Sequence, residues 1–253
     1  MTGSPGTHFK ALSFGDLDGQ IWGGALDAGI PAFVYGMGDT AHSVCGAGAV
    51  HWARDGRGWR LSGQGFDLHM EPGGEDLEQE PAPDPGMTVS GLEELCRVQG
   101  TVRLAGAEHP IDCVGTRWTL DGVKLAELGS LRAVSGWFAV DNALAVLALR
   151  DRRARGHEAD LIAATLFDPE GWVPVKDPRL STTYTEAGLP SRANLELWVG
   201  DDENEFPRRA AAEAVGTGAE ATADDFALRV APLRCHSRGL EGSGVYVLAT
   251  FHG

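Results

Sequence analysis

The 253-residue sequence lacks a long hydrophobic run. No stretch reaches the roughly 18 apolar residues that a membrane-spanning helix requires. The longest apolar segment, residues 139–149, is interrupted by Asp141 and Asn142. The first residues also lack the apolar centre of a signal peptide. These absences predict a cytoplasmic protein without a membrane span.

Positive charge is scarce. Lys and Arg together number 21, whereas Asp and Glu number 36, and the formal net charge is -15. The resulting field would repel the phosphate backbone of a nucleic acid. We therefore predict no nucleic-acid partner, and we attribute the acidity to solubility.

Cysteine is rare, and its spacing does not match the usual metal-binding patterns. The four cysteines, Cys45, Cys96, Cys113 and Cys235, include no Cys-x-x-Cys pair, and the histidines do not cluster. Reduced, buried thiols fit this pattern better than disulfides or zinc ligands do. A phosphate-binding glycine loop is absent as well. We therefore predict neither a metal nor a cofactor.

Alternation with a period of two is the main pattern that is present. In residues 96–104, apolar and polar side chains take turns, as in a strand with one face in water. The 35 glycines provide many turn signals between such segments, and Asp18-Gly19, Asp55-Gly56, Asp121-Gly122 and Glu170-Gly171 predict tight hairpin turns. Together they predict an all-β sandwich or barrel with very little helix. The same alternation occurs in residues 66–71, 194–199, 226–230 and 245–251.

The chain divides into two halves of similar β character. We predict one β domain at residues 1–125 and a second at residues 126–253. The first half contains a segment rich in Pro, Gly and acid, residues 71–91, which we expect to be an exposed loop. Helical patterns are limited to residues 121–128 and 207–215, and the latter could also be a strand.

Three segments resemble a known superfamily. Residues 98–118 read VQGTVRLAGAEHPIDCVGTRW, residues 188–193 read GLPSRA and residues 239–246 read GLEGSGVY. Together they are similar to the hydroxyneurosporene synthase (carotenoid hydratase)-like superfamily. The resemblance implies two tandem lipocalin-like antiparallel β domains, an apolar cavity between or within them, and an isoprenoid, polyketide or lipid-like ligand. One departure is that Arg117 runs directly into Trp118, where related proteins often insert an acid and a histidine.

Two N-terminal turns contain candidate catalytic groups. Asp16 lies close in sequence to Trp22. An aromatic surface favours the neutral form of a carboxylic acid, which could protonate an alkene or a carbonyl group. Asp39 and His42 are near enough in sequence for a turn to let the carboxylate orient the imidazole. Polar turns without catalysis are the alternative at both places.

Arg117 is a further candidate catalytic residue, and four tryptophans are candidate ligand-binding residues. Arg117 could hold an anionic or carbonyl group of a ligand beside Trp118, although structural stacking of the two side chains is the alternative. Trp22, Trp52 and Trp137 could line an apolar site in the same way as Trp118. Each could equally be a core or rim residue.

Three functions from different classes are compatible with these features. The first is a metal-independent acid–base enzyme, a hydratase, cyclase or isomerase, that acts on an apolar isoprenoid- or polyketide-like molecule. The second is a non-catalytic lipocalin-type carrier of a hydrophobic small molecule. The third is a carbohydrate-binding β-sandwich that uses tryptophans as sugar platforms. The sequence leaves open which of them applies, and it leaves the oligomeric state open.

Overall fold

Two antiparallel sheets contain every strand that the structure describes. The computed structural model describes residues 7–73, 90–154, 160–200 and 206–252. Nineteen β-strands lie in these ranges, and none of the described residues is in a helix. Each sheet curls into a nearly closed barrel. The predicted all-β class with two lipocalin-like, barrel-like halves is confirmed.

The first barrel is formed by nine strands. They are β1 (Thr7–Gly15), β2 (Ile21–Asp27), β3 (Pro31–Met37), β4 (Thr40–Cys45), β5 (Val50–Asp55), β6 (Gly58–Gly63), β7 (Phe66–Pro72), β8 (Ser90–Leu104) and β9 (Ala107–Val123). The sheet order is β4-β3-β2-β1-β9-β8-β7-β6-β5.

The second barrel is formed by the ten remaining strands. They are β10 (Leu128–Ala139), β11 (Asn142–Asp151), β12 (Leu161–Asp168), β13 (Gly171–Pro174), β14 (Asp177–Tyr184), β15 (Pro190–Trp198), β16 (Arg208–Ala214), β17 (Ala219–Ala223), β18 (Phe226–Ser237) and β19 (Leu240–Phe251). The sheet order is β13-β12-β11-β10-β19-β18-β16-β15-β14, and β17 pairs with β18 beside this path.

The two barrels share one strand topology. In each, the first strand lies between the second and the last strand, and the fourth and fifth strands form the sheet edges. β17 is an addition to the second barrel. The chain passes from one sheet to the other between Val123 and Leu128. That residues 1–125 and 126–253 are separate domains stays a prediction.

Three groups of buried side chains explain the alternation along the strands. One group, which includes Phe14, Phe33 and Phe66, fills the interior of the first barrel. A second fills the interior of the second barrel. The third lies between the barrels and includes Trp22 and Phe251. Strands β2 and β11 are consequently buried on both faces and have continuous apolar sequences.

Two sequence-based expectations near the centre of the chain are wrong in detail. Asp121 and Gly122 resemble a hairpin turn, but both lie within β9. Gly122 has a φ of 81°, and the β1–β9 register shifts nearby, as at a β-bulge. Residues 124–127 form a single turn rather than a helix, closed by the Leu128 N–H donating to the Lys124 carbonyl at 3.2 Å.

The remaining ambiguous segments are now assigned. Residues 208–214 form strand β16, so the alanines of this region do not make a helix. The predicted loop 71–91 is shorter than expected, because β7 ends at Pro72 and β8 begins at Ser90. Residues 74–89 of that loop lie outside the described residues. Among the described residues, no helix has the length and apolar character needed to cross a membrane.

Candidate functional site

A cleft of about 800 Å³ lies between the two barrels. It is formed by the β1–β2 turn, by β8 and the facing part of β9, and by the β10–β11 and β12–β13 turns of the second barrel. It therefore depends on both halves of the chain. Its lining residues are Asp16, Leu17, Gly73, Glu94, Leu95, Cys96, Arg97, Asp112, Cys113, Val114, Val140, Asp141, Phe167, Asp168, Pro169, Glu170, Gly171 and Trp172.

The floor of the cleft is the margin of the core between the barrels. Val114 and Phe167 belong to that core, and Leu95 and Trp172 pack against it. At the rim, Val140 is 68% exposed. Apolar side chains thus continue from the buried core to the mouth of the cleft, as in sites for apolar small molecules.

Asp16 is held in a fixed position at one end of the cleft. Its Oδ1 accepts a hydrogen bond of 2.8 Å from the Ile21 N–H, and its own N–H donates to the Ile21 carbonyl at 3.1 Å. Its carbonyl accepts a hydrogen bond of 2.5 Å from the Ser243 hydroxyl of the second barrel. Because its other carboxylate oxygen has no hydrogen-bond partner among the described residues, that oxygen could reach a ligand.

Two cysteines also line the cleft. Burial, together with a smaller contribution from the nearby Asp16 carboxylate, raises the pKa of Cys113 to about 12. Burial likewise raises the pKa of Cys96 to about 12. Thiols with such pKa values stay protonated at neutral pH, so neither is an activated nucleophile. All four cysteines of the chain are free.

Carboxylates of the second barrel surround the mouth of the cleft. Asp168 Oδ1 accepts a hydrogen bond of 3.0 Å from the Glu170 N–H and thereby stabilises the β12–β13 turn. Glu170 and Asp141 are exposed. On the opposite wall, Asp112 forms a bidentate pair with Arg97, with both N–O distances at 2.7 Å.

Several polar atoms buried between the barrels have no hydrogen-bond partner among the residues that the structure describes. Thr116 follows Val114 on the same face of β9, and its Oγ1 is buried without a hydrogen bond. Ser13 pairs with Thr116 in the β1–β9 register. The hydroxyls of Ser13 and Ser135 are likewise buried without a hydrogen bond. The indole N–H groups of Trp22 and Trp137 also lack an acceptor. Such groups usually bind ordered water or a ligand.

Arg117 and Trp118 are neighbours in β9 but point to opposite faces. The Arg117 Nε donates to Glu94 Oε2 at 3.0 Å, and its Nη2 bonds the same oxygen. Both side chains are almost fully buried, and the Arg117 guanidinium lies over the Trp59 ring at 5.3 Å. Trp118 packs between the barrels. The structure therefore does not bring the two together.

Asp39 and His42 lie away from the cleft. Both are exposed in and beside the β3–β4 turn, and no hydrogen bond between them occurs in the described part of the chain. The His42 ring packs against Tyr35, with the ring centres 5.5 Å apart. Asp39 lies near Gly216 of the second barrel. A direct contact of either side chain with a ligand in the cleft is not supported by this placement.

The four predicted tryptophans, Trp22, Trp52, Trp118 and Trp137, do not line the cleft. Trp22 and Trp137 are in the core between the barrels, where the Trp137 ring packs against Gly15, next to Asp16. Trp52 packs against the interior of the first barrel. The tryptophan on the cleft wall is Trp172, which no spacing pattern distinguished from the others. All seven tryptophans are buried or half-buried.

Metal ligation has no support in the described ranges. These residues contain no group of three or more His, Cys, Asp or Glu side chains that could hold a metal ion. The expectations of no metal and no cofactor stay predictions, as does a cytoplasmic location.

Comparisons with known proteins identify the class of fold. No family model matches the chain, and the curated protein sequences give no match. Solved structures do match, at low sequence identity. A Nitrosomonas europaea protein assigned as AttH has a TM-score of 0.66 and 11% identity, with 98% of this chain and 93% of that chain covered.

Two further structures are similar over nearly the whole chain. CghA has a TM-score of 0.65 and 12% identity, and kievitone hydratase from Nectria haematococca has a TM-score of 0.61 and 8% identity. Each comparison covers 98% of this chain and 89% of the other. The expected resemblance to hydratase-type, lipocalin-like proteins is thereby confirmed at the level of the fold, which is what such identities can show.

Proposed function

We propose that the protein is an acid–base enzyme that acts on an apolar small molecule in the cleft between the barrels. The observation that carries this proposal is the position of Asp16 at a cleft of about 800 Å³ with an apolar floor. Its carboxylate accepts a hydrogen bond from the Ile21 N–H, and its backbone is held by Ile21, Gly19 and the Ser243 hydroxyl. A site of this size accommodates molecules of the isoprenoid or polyketide class.

Hydration is the first reaction to test, because one of the similar structures is a hydratase by name. In such a reaction, Asp16 would give a proton to one carbon of a carbon–carbon double bond. Water would add to the other carbon and return a proton to the carboxylate, so that the enzyme is regenerated. This chemistry would use no metal, and cyclisation or isomerisation would begin with the same proton transfer.

The two other functions fit the site less well. A carrier needs an apolar space, which the cleft provides, but it gives no role to a carboxylate fixed at its end. A sugar platform needs exposed, coplanar tryptophan rings, whereas all seven tryptophans here are buried or half-buried. We therefore rank the enzyme first and the carrier second.

Filling the cleft tests the location of the ligand site. Val114→Trp would place a large ring on the cleft floor, and we expect it to abolish binding of the neutral apolar dye Nile red. Ala53→Trp, at an exposed position of β5, is the matched control and should bind the dye normally. Circular dichroism would confirm that both variants fold. Unchanged dye binding by a folded Val114→Trp protein would rule out the cleft as the site.

Turnover tests the catalytic role. Unsaturated isoprenoids and polyketide-type enones would be incubated with the protein in oxygen-18 water, and mass spectrometry would detect an added water molecule. Asp16→Asn keeps an oxygen that can accept from the Ile21 N–H but cannot transfer a proton. We expect this variant to lose turnover and to retain Nile red. If Asp16→Asn hydrates as fast as the native protein, Asp16 is not the acid. If native protein binds but never hydrates, the carrier function is favoured.

A further inference from the structure

The charge on the walls of the cleft is unbalanced. Six carboxylates and one guanidinium line it. Two of the carboxylates have cationic partners, since Asp112 pairs with Arg97 and Glu94 pairs with Arg117. The other four, which form no ion pair within the described residues, are Asp16, Asp141, Asp168 and Glu170.

The field of these carboxylates reaches into the protein. The Asp16 carboxylate contributes to the raised pKa of Cys113. Burial and the nearby Arg238 lower the pKa of Arg208, and the Asp168 carboxylate acts in the opposite direction and raises it. Arg208 thus offsets some of the negative charge of Asp168. In the proposed reaction Asp16 acts in its protonated form, so the charge argument depends on Asp141 and Glu170, which line the cleft and form no ion pair in the described structure.

Aromatic groups at the same cleft also suit a cation. Phe167 and Trp172 lie at the two ends of the β12–β13 turn that contains Asp168 and Glu170, and aromatic faces attract cations. The Glu94 carboxylate does not take part, because it bonds Arg117 on the face of the sheet opposite to Leu95 and Trp118.

We infer that the cleft takes an apolar molecule that carries a protonated amine, and that it disfavours carboxylates and phosphates. The inference rests on the proposed ligand site and adds the chemical class of its ligand. The apolar part would contact Leu95, Val114 and Phe167, and the ammonium group would lie between Asp141 and Glu170 at the mouth.

The expected preference is moderate because the carboxylates at the mouth are solvated. In water, a charge pair at 4 Å corresponds to roughly a fivefold change in affinity. Two carboxylates therefore predict that a cationic ligand binds about 5- to 25-fold more tightly than a neutral ligand of the same shape. Because solvated charges are screened by salt, the preference should decrease at high ionic strength.

Displacement of Nile red by three ten-carbon ligands tests the inference. Decylamine is protonated at pH 7, decanol is neutral and decanoate is anionic. Binding would be measured for the native protein, for the double variant Asp141→Asn/Glu170→Gln and for the control Glu186→Gln/Asp224→Asn. The control changes the net charge equally at exposed positions in turns of the second barrel that do not line the cleft.

Decylamine should bind the native protein most tightly and decanoate most weakly. The Asp141/Glu170 variant should lose most of the difference between decylamine and decanol, and the control should keep it. Equal binding of decylamine and decanol by the native protein would overturn the inference while leaving the ligand site intact. If Val114→Trp still binds Nile red, the site itself is wrong, so the two failures can be distinguished.

Discussion

The Ser243 hydroxyl of the second barrel donates a hydrogen bond of 2.5 Å to the backbone carbonyl of Asp16 in the first barrel. This bond joins residues that are 227 positions apart in the chain. It fixes the β1–β2 turn against β19 and thereby sets the position of the Asp16 carboxylate in the cleft. The proposed acid is therefore placed by the contact between the barrels.

Removing the Ser243 hydroxyl should loosen this turn. Ser243→Ala leaves the Asp16 carbonyl with the Gly19 N–H, at 3.1 Å, as its remaining donor, and we expect the free energy of unfolding to fall by about 1 kcal/mol. Hydrogen exchange of the Ile21 amide should become faster, since that amide donates to Asp16. Ser191→Ala removes an exposed hydroxyl that bonds the Thr183 carbonyl and should leave Ile21 unchanged. Equal exchange in both variants would contradict the proposed link.

Breaking the buried pair of Arg117 and Glu94 should cost more than removing it completely. Arg117→Met leaves the Glu94 carboxylate buried without its cation, which typically lowers the free energy of unfolding by roughly 3–5 kcal/mol. The double variant Arg117→Met/Glu94→Leu should recover most of this loss, because no charge then remains buried. Urea denaturation measures both. A double variant less stable than either single variant would show that Arg117 acts mainly through packing against Trp59.

Stability should decrease in alkali because of the buried thiols. Burial raises the pKa of Cys96, Cys113 and Cys235 to about 12, from the ordinary value of 9.0. Between these two pH values the folded protein holds protons that the unfolded chain has lost. The stabilising contribution is therefore complete below pH 9 and is lost as the pH rises towards 12, at up to about 1.4 kcal/mol per pH unit for each thiol.

Urea denaturation at pH 8, 9.5 and 10.5 would measure this dependence. Cys235→Ala should show a shallower decrease of stability with pH than the native protein. Leu233→Val destabilises the same core without removing a thiol, so its pH dependence should match that of the native protein. Identical slopes for native protein and Cys235→Ala would refute a contribution from Cys235.

The close approach of the two barrels at Gly24 should not tolerate a side chain. A Cβ atom at this position would lie 2.8 Å from Val247 Cγ2 and 3.0 Å from Val230 Cγ2. Gly24→Ala should therefore lower the free energy of unfolding by about 1–3 kcal/mol. Adding Val247→Ala should make the loss smaller than the sum of the single effects, because it removes the clashing methyl group.

Gly48→Ala is the control for this prediction. A Cβ atom at Gly48 would meet nothing within 4 Å, so this variant should be at least as stable as the native protein. If Gly24→Ala is equally well tolerated, the barrels do not pack as closely at Gly24 as the structure indicates.

Several predictions from the sequence were correct because they depend on local periodicity. Alternating residues 96–104 lie in β8, and residues 226–230 and 245–251 lie in β18 and β19. Asp18-Gly19 and Asp55-Gly56 fall at hairpin turns, with positive φ at both glycines. Local rules failed where tertiary contacts prevailed, since the alanines of β16 pair with β15 and β18 rather than forming a helix.

The candidate site was only partly predictable. Asp16 does line the cleft, but Phe167 and Trp172, on its opposite wall, were not distinguished from other aromatic residues. They lie more than 150 positions from Asp16 in the chain, and no spacing rule connects such distant segments. Arg117 and Trp118 show the converse case, because adjacent residues of a strand point to opposite faces.

The sequence by itself determined the strands and many of their turns, because alternation and turn residues act over a few positions. Its composition determined that the protein is acidic. Only the tertiary structure decided that one face of each barrel packs against the other barrel. Because of that packing, Trp22 and Trp137 are buried in the core between the barrels. The same packing brings Asp16, Val114 and Phe167 together around one cleft. The physical reason is that burial between two sheets depends on which faces meet, and this is a property of the assembled chain.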